Sequence, residues 1–227
     1  MAQTDSYAAV LFDLDGTLID TAPDMVGVLA DLQRDEGDEP LDYELARSYV
    51  SHGAAGLISL AFPNVPADEH ERLRLDYLER YEAAVCVGSI VFPGLDALLD
   101  TLDSARVPWG IVTNKPMRMT DPLLDALGIA ERAGCAVSGD TLPLRKPDPA
   151  PLFHACEIIG IAPEQSIYVG DAARDIEAGI AAGMLTVAAT YGYITADDDP
   201  NDWNAHEMVR DVEELTHLVL KGVNLRS

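Results

Sequence analysis

The chain has 227 residues, with 39 aspartates and glutamates against 15 lysines and arginines, a formal net charge of −24. That charge argues against nucleic acid and anionic membrane surfaces as partners, and no apolar run is long enough to span a bilayer. A hydrophobic content of 48% excludes a disordered chain and suits one sizeable α/β domain with an insertion.

The first ten residues show no basic segment followed by an apolar core, so no signal peptide is expected. Residues 8–13 then form an apolar run that stops at Asp13-Leu14-Asp15-Gly16-Thr17, the mark of a buried strand closed by a glycine turn. Side chains alternate along a strand, so Asp13 and Asp15 are expected to point the same way at its end. From 21 to 88 the pattern is helical, over 22–34, 42–50, 53–61 and 67–84, punctuated by Pro40, Pro63 and Pro66. An insertion at that point would sit above the first strand's end as a lid that selects substrate; a small independent helical bundle has the same pattern. Further strands are expected at 108–112, 134–138, 166–170 and 185–190, alternating with helices at 94–105, 119–127, 150–160 and 173–182. A last helix over 211–221 is expected to cover the sheet, and the acidic run 196–202 reads as a solvated loop. The prediction is an α/β fold, a Rossmann-like parallel sheet core (1–20 and 89–227) with a small α-helical cap (21–88) after the first strand. Cys86, Cys135 and Cys156 fit neither a zinc site nor a disulfide framework, which suggests a reducing, cytoplasmic setting. Trp109 and Trp203 read as packing residues.

Ligands of such sheets bind outside the carboxyl ends of the strands, and four strand ends here carry chemistry. At the first, Asp13 suits a nucleophile toward phosphorus and Asp15 a proton donor and acceptor. Thr17 and the turn amides, at Leu14 and Gly16, would position the phosphoryl group. Metal ligation, or two solvated acids at a turn, fits the same residues. At the second, a Thr113 hydroxyl and an Asn114 amide could hold phosphoryl oxygens; taken alone, the motif is better read as an ordinary helix N-cap before Pro116. At the third, Lys146 is held extended by Pro147 and could neutralise Asp13 and the phosphoryl group, with Arg145 as the rival cation. At the fourth, Asp171 and Asp175 are spaced to share one face of a first helical turn, as Mg²⁺ ligands or as acids favoured by the helix dipole. The chain's general field repels an anionic substrate, so local cations must overcome it: a metal, Lys146, and further candidates at Lys115, Arg118 and Arg174. The acidic surface itself suits a salt-tolerant source or simply a solvated, soluble exterior.

Together these motifs resemble those of the haloacid dehalogenase superfamily. Asp13-x-Asp15-Gly16-Thr17 matches its first motif, Thr113 its second, Lys146 its third and Gly170-Asp171-x-x-x-Asp175 its fourth, over essentially the whole chain. The helical insertion is similar to the family's small α-helical cap. The resemblance implies Mg²⁺ held by Asp13, Asp171 and the Asp15 backbone carbonyl, with Asp175 acting through water or by holding Lys146. Dehalogenases lack the second aspartate, so Asp15 implies phosphoryl transfer rather than carbon–halogen cleavage. The branch resembled most is phosphoglycolate-phosphatase-like. Two stretches point further, 48–62 in the cap and 189–205 after the last strand, and the latter is similar to bacterial N-acetylmuramic acid 6-phosphate phosphatases of peptidoglycan recycling. The resemblance thus implies a phosphoric monoester hydrolase working through an aspartyl phosphate on a small phosphorylated metabolite. N-acetylmuramic acid 6-phosphate is the first expected substrate and 2-phosphoglycolate the alternative; a phosphosugar mutase and a binding module without turnover are the other readings. The cap loop Ser51-His52-Gly53-Ala54 is the expected specificity element, His52 reaching a substrate carboxylate or hydroxyl, although a loop histidine with no ligand fits as well. The chain is expected as a monomer or homodimer.

Overall fold

A computed structural model describes residues 6–223. Its first strand, β1 (Ala9–Phe12), is buried at all four positions, which is why it reads as a continuous apolar run rather than an alternating one. It pairs parallel on both sides, with β4 (Trp109–Val112) and β6 (Ser166–Gly170). Val10 faces Trp109 on one side and Ile167 on the other. β5 (Ala136–Val137) extends the sheet beyond β4, and β7 (Leu185–Ala189) and β8 (Glu207–Val209) extend it beyond β6. The order is β5-β4-β1-β6-β7-β8, all parallel. The chain thus leaves β1 toward one edge and later returns to its other side, and the carboxyl end of β1 lies at the crevice such a reversal creates.

From β1 to β3 (Ile90–Val91) the chain runs through β2 (Ile19–Asp20) and four α-helices. The helices are α1 (Ala22–Glu36), α2 (Tyr43–Ser48), α3 (Gly53–Ala61) and α4 (Ala67–Ala83). β2 and β3 pair antiparallel, Ile19 opposite Val91, so the cap leaves and re-enters the core through a two-stranded ribbon. Sequence patterning does not reveal this ribbon, because two residues per strand carry no periodicity. Its base is pinned by buried Asp24 of α1, whose carboxylate accepts the N–H groups of Val87, Gly88 and Ser89 and the Ser89 hydroxyl. The expected helix 42–50 is corrected: α2 stops at Ser48, a 3₁₀ turn follows over Val50–His52, and Gly53 at φ +66° resets the chain for α3. Leu29, Leu32, Leu57, Leu73, Tyr77 and Tyr81 bury the cap's interior, which is continuous with the apolar face of the sheet.

The remaining helices, α5 (Leu95–Ser104), α6 (Met117–Ala126), α7 (Ala150–Ile159), α8 (Ala173–Ala182) and α9 (Val212–Gly222), connect and cover the strands. α9 buries Leu215 and Val219. The run 196–202 is more than a solvated loop: Asp199 accepts the Asn201 N–H to start a 3₁₀ turn, and Asp198 accepts the Trp203 indole N–H at 2.7 Å. Trp203 itself packs with Ile176 and Ala188, and Trp109 is buried, as packing residues should be. The three cysteines are unpaired. No helix among the described residues is long and apolar enough to cross a membrane.

Candidate active site

Asp13 follows β1 directly, and its N–H still donates to the Val169 carbonyl at 2.8 Å, so the sheet ladder carries it although the strand proper has ended. Its carboxylate meets the Lys146 ammonium at 2.8 Å. Lys146 also reaches Asp175 at 2.7 Å, the Val112 carbonyl at 2.7 Å and the Tyr168 hydroxyl at 2.8 Å. Three N–H bonds thus face four acceptors, and the ammonium, 2% exposed, has no freedom to leave. Asn114 fixes the same lysine from behind: its side-chain amide donates to the Lys146 carbonyl, and its side-chain oxygen accepts the Lys146 N–H. The Lys146–Pro147 peptide is cis.

Asp175 stands in the first turn of α8 and accepts the Ala172 N–H at 3.1 Å, so it caps the helix and holds Lys146 at once. Asp171 is not on that helical turn, contrary to the spacing argument. It lies in the loop after β6, where it accepts the Tyr193 N–H and the Ser51 hydroxyl, each at 2.8 Å, and the Thr17 hydroxyl at 3.4 Å. Two glycines make room for it. A Cβ on Gly16, which adopts φ +81°, would stand 2.1 Å from an Asp171 oxygen, and one on Gly192 would stand 2.3 Å from the Asp171 Cβ.

The carboxylates of Asp13, Asp171 and Asp175 are all buried, with ligand oxygens within 4.8 Å of one another. Burial pushes Asp13 up to about 6, helped by Asp175 and opposed by Lys146. Burial, with Asp13 and Asp175 adding to it, pushes Asp171 up to about 8. Buried carboxylates that raise one another's proton affinity are a donor set asking for a cation. Oxygen-only ligands fit Mg²⁺. Asp175 gives one oxygen to Lys146 and the other to the Ala172 N–H, whereas Asp13 meets Lys146 with one oxygen only, so Asp13 and Asp171 are the side chains better placed to take it.

Asp15 is held apart from this cluster. Because β1 ends at Phe12, Asp15 sits in the turn, and strand alternation does not govern it. Its carboxylate accepts the Thr21 hydroxyl and the Lys115 ammonium, each at 2.7 Å. Lys115 is buried and also donates to the Tyr81 hydroxyl of α4 at 2.8 Å. Burial opposes its charge, yet Asp15 and Tyr81 together hold its proton affinity above the ordinary lysine range. Asp13 and Asp15 nonetheless line one cavity of about 480 Å³ between core and cap, with Thr113, Asn114, Lys115, Arg145 and Arg174 from the core. The cap lines it with Val50, Ser51, His52, Gly53, Ala54, Arg74, Tyr77 and Leu78. His52 stacks at a tilt on Tyr49, its rings 5.4 Å apart, and burial followed by the field of Arg174 lowers its proton affinity.

Several expected roles change. Leu14 points into the core, and the amides of Gly16 and Thr17 donate within the turn, to Ile19 and Leu14, while Thr17 is wholly buried beneath Asp171. Gly16 and Thr17 therefore shape the turn instead of lining the cavity. Thr113 is no helix N-cap: its hydroxyl accepts the Lys115 N–H two residues on, and α6 begins only at Met117. Asn114 spends its side chain on Lys146. Arg118 pairs with Glu82 on the surface, between α6 and the end of α4, and takes no part in the site. The sequence reading missed Tyr193, whose hydroxyl donates to Asp20 and accepts the Ala22 N–H and whose ring lies 4.7 Å under Arg47 of α2. The one signal for it was the Gly192-Tyr193 pair just after the last predicted strand.

A parallel sheet with an α-helical cap inserted after its first strands, and an aspartate cluster at the strand ends, define a hydrolase of the haloacid dehalogenase type. The model of the haloacid dehalogenase-like hydrolases matches residues 7–183, and the chain belongs to this family, in its phosphoglycolate-phosphatase-like branch. It is a HAD-type phosphomonoester hydrolase. The N-acetylmuramic acid 6-phosphate phosphatase of Pseudomonas putida is 42% identical over 212 residues, 93% of this chain and 95% of that protein. A phosphoglycolate phosphatase of Xanthomonas campestris pv. campestris is also 42% identical, over 207 residues, 91% of this chain and 94% of that one. Among solved structures, a predicted phosphoglycolate phosphatase from Haemophilus somnus superposes with a TM-score of 0.82 at 26% identity, covering 96% of this chain and 99% of that one.

Proposed function

We propose that this phosphatase removes the 6-phosphate of N-acetylmuramic acid 6-phosphate, through an aspartyl phosphate on Asp13. The observation that carries the choice of substrate is the cavity. Its volume of about 480 Å³ lies within the range of drug-sized ligand sites, roughly 300–1,000 Å³, ample for an acylated amino sugar. It offers apolar surface from Met25, Ala54, Ala55, Leu78 and Met119, suited to acetamido and lactyl methyl groups. Arg74 on α4 also lines it, its guanidinium held by Glu71. The likeness to the Pseudomonas enzyme supports the same reading.

The chemistry follows from the chain's own groups. An Asp13 oxygen attacks phosphorus, and the bond from phosphorus to the sugar oxygen breaks. Asp15 delivers a proton to that leaving oxygen, then takes one from the water that attacks the aspartyl phosphate, so the Asp13–phosphorus bond breaks and inorganic phosphate leaves. Lys146 neutralises Asp13 and charge on the phosphoryl oxygens, and Thr113 and the Leu14 amide donate to those oxygens. Lys115 and Thr21 orient Asp15. Mg²⁺, held by Asp13, Asp171 and the Asp15 carbonyl, when bound supplies charge neutralisation at the transferring group. Closure of the cap keeps bulk water from the intermediate.

A second reading, 2-phosphoglycolate, is favoured by the equally similar Xanthomonas relative. Phosphate release from the two esters side by side, with Mg²⁺ and with Asp13→Asn as control, separates them. A large preference for the amino sugar is expected; a preference for 2-phosphoglycolate overturns the substrate proposal. Turnover without free phosphate would indicate a mutase.

A further inference from the structure

Arg174 occupies the first turn of α8, between Asp171 and Asp175, and lines the cavity beside Asp13 and His52. It is half-buried, yet it makes no hydrogen bond, ion pair or ring contact. Among the described arginines, only Arg106 and Arg145 share that condition, and both are exposed. The other arginines are each engaged: Arg74, for example, with Glu71, and Arg47 with the Tyr193 ring. A guanidinium always carries its charge and has five donors to satisfy, so a half-buried one without a partner, open to a cavity, is arranged for a ligand that brings oxyanions.

The surroundings say which oxyanion. Burial works against the charge of Arg174, the fields of Asp175, Asp13 and Asp171 more than offset it, and the residue lines the same cavity as Asp13. None of these carboxylates takes it as an ion pair; Asp13 and Asp175 are spent on Lys146. The three buried carboxylates and a phosphomonoester dianion bring five negative charges together, and Lys146 with a divalent cation returns three. A further cation at this point answers the deficit, and the repulsion that a chain of net charge −24 exerts on its substrate.

We propose that Arg174 is a second phosphate-binding cation of this site, donating two parallel N–H bonds to phosphoryl oxygens of the substrate and then of the inorganic phosphate product. The inference rests on phosphomonoester hydrolysis, not on the choice of ester. A wild-type preference for 2-phosphoglycolate would defeat the substrate proposal above and leave this one standing.

The test compares wild type, Arg174→Gln and Arg174→Lys in two readings. The first is kcat/KM for N-acetylmuramic acid 6-phosphate, 2-phosphoglycolate and p-nitrophenyl phosphate. The second, independent of turnover, is the rise in Tm produced by inorganic phosphate with Mg²⁺. In Arg174→Gln, kcat/KM is expected to fall by roughly 10²–10³ on all three esters alike, as for a lost oxyanion donor, and the phosphate-induced Tm rise to shrink. Arg174→Lys should recover part of both, supplying charge without the fork. An unchanged phosphate-induced Tm rise in Arg174→Gln overturns the proposal. So does a loss confined to the two esters that carry a carboxylate, which would put Arg174 at the far end of the substrate. If Arg174→Gln fails to fold, Arg174→Lys decides: two parallel bonds require weakened phosphate binding there too, and wild-type binding and turnover overturn the assignment.

Discussion

The floor of the cavity and its roof are built to different specifications. On the floor, each carboxylate is fixed by backbone or by buried charge: Asp13 by the sheet ladder and Lys146, Asp175 by Lys146 and the start of α8, Asp171 by the Tyr193 N–H. Around the cavity the roof's polar contacts with the floor are a handful: Ser51 on Asp171, Tyr81 on Lys115, Arg47 over Tyr193 and Arg118 with Glu82. Each such contact stabilises by only about 1 kcal/mol net. Groups that must meet a transition state gain from being held rigidly, whereas a lid must release product and gains from bonds that break one at a time. The same division separates reaction from selection: the floor carries the charge, and the roof carries most of the apolar and shape-defining surface.

Substitutions on the floor should have the largest effects. Asp13→Asn should reduce turnover to background while the protein remains folded, as read by phosphate release and circular dichroism; full activity would remove Asp13 as nucleophile. Asp15→Asn should lose roughly 10²–10⁴ in kcat, the range of a missing proton donor, and a wild-type rate would leave Asp15 without that role. Lys146→Met should destabilise the fold by about 3–5 kcal/mol, because the Asp13 and Asp175 carboxylates stay buried without their partner. A denaturant titration showing less than about 1 kcal/mol would mean that these acids are relieved by protonation or by metal instead.

The floor's proton affinities give a further test in the chelated protein. Asp13 and Asp171 titrate higher in the folded chain, at about 6 and about 8, than the ordinary value of 3.8. Between those values the folded state holds protons that the unfolded chain has released, so this contribution is fully present below pH 3.8 and is lost as pH rises through 6 and 8. In EDTA, Tm should therefore fall from pH 5 to pH 9, and added Mg²⁺ should raise it more at pH 9 than at pH 5. A Tm gain from Mg²⁺ that does not grow with pH would contradict a metal held by these carboxylates. The smallest effect is expected at the roof. Ser51→Ala removes one bond to Asp171, and a change of up to about tenfold in KM with kcat nearly kept would mark a lid contact. A loss in kcat comparable to that of Asp15→Asn would erase the distinction between roof and floor.

Much of the architecture could be read from local pattern. Residues 166–170 and 173–182 emerge as strand and helix at the predicted positions, because a strand buried on both sides is a plain apolar run and α8 has a clear polar start. The ribbon of β2 and β3 and the edge strand β8 escape such reading. They are two or three residues long, and β8 is exposed at two of its three positions. At the site, the motif residues Asp13, Asp15, Thr113, Lys146, Asp171 and Asp175 could be named from sequence because they lie in the turn after a strand, near the start of a helix or, for Lys146, before a proline in the loop that leads to α7. Their division of labour could not. That Lys115 belongs to Asp15, 100 residues away, and that Asn114 serves Lys146 rather than substrate, depends on which loops converge.

What the amino-acid sequence determined by itself was a parallel α/β core, a helical insertion after its first strand, and a set of acidic and basic residues at strand ends. Those are consequences of hydrophobic periodicity and turn chemistry, which act over a few residues. The tertiary structure alone decided that Gly16 and Gly192 leave room for Asp171, that a cap serine reaches the same carboxylate, and that Arg174 stands half-buried and unpartnered in the cavity of the nucleophile. These are contacts between segments far apart in the chain, and short-range sequence pattern carries no record of which distant side chains will share a buried, low-dielectric space.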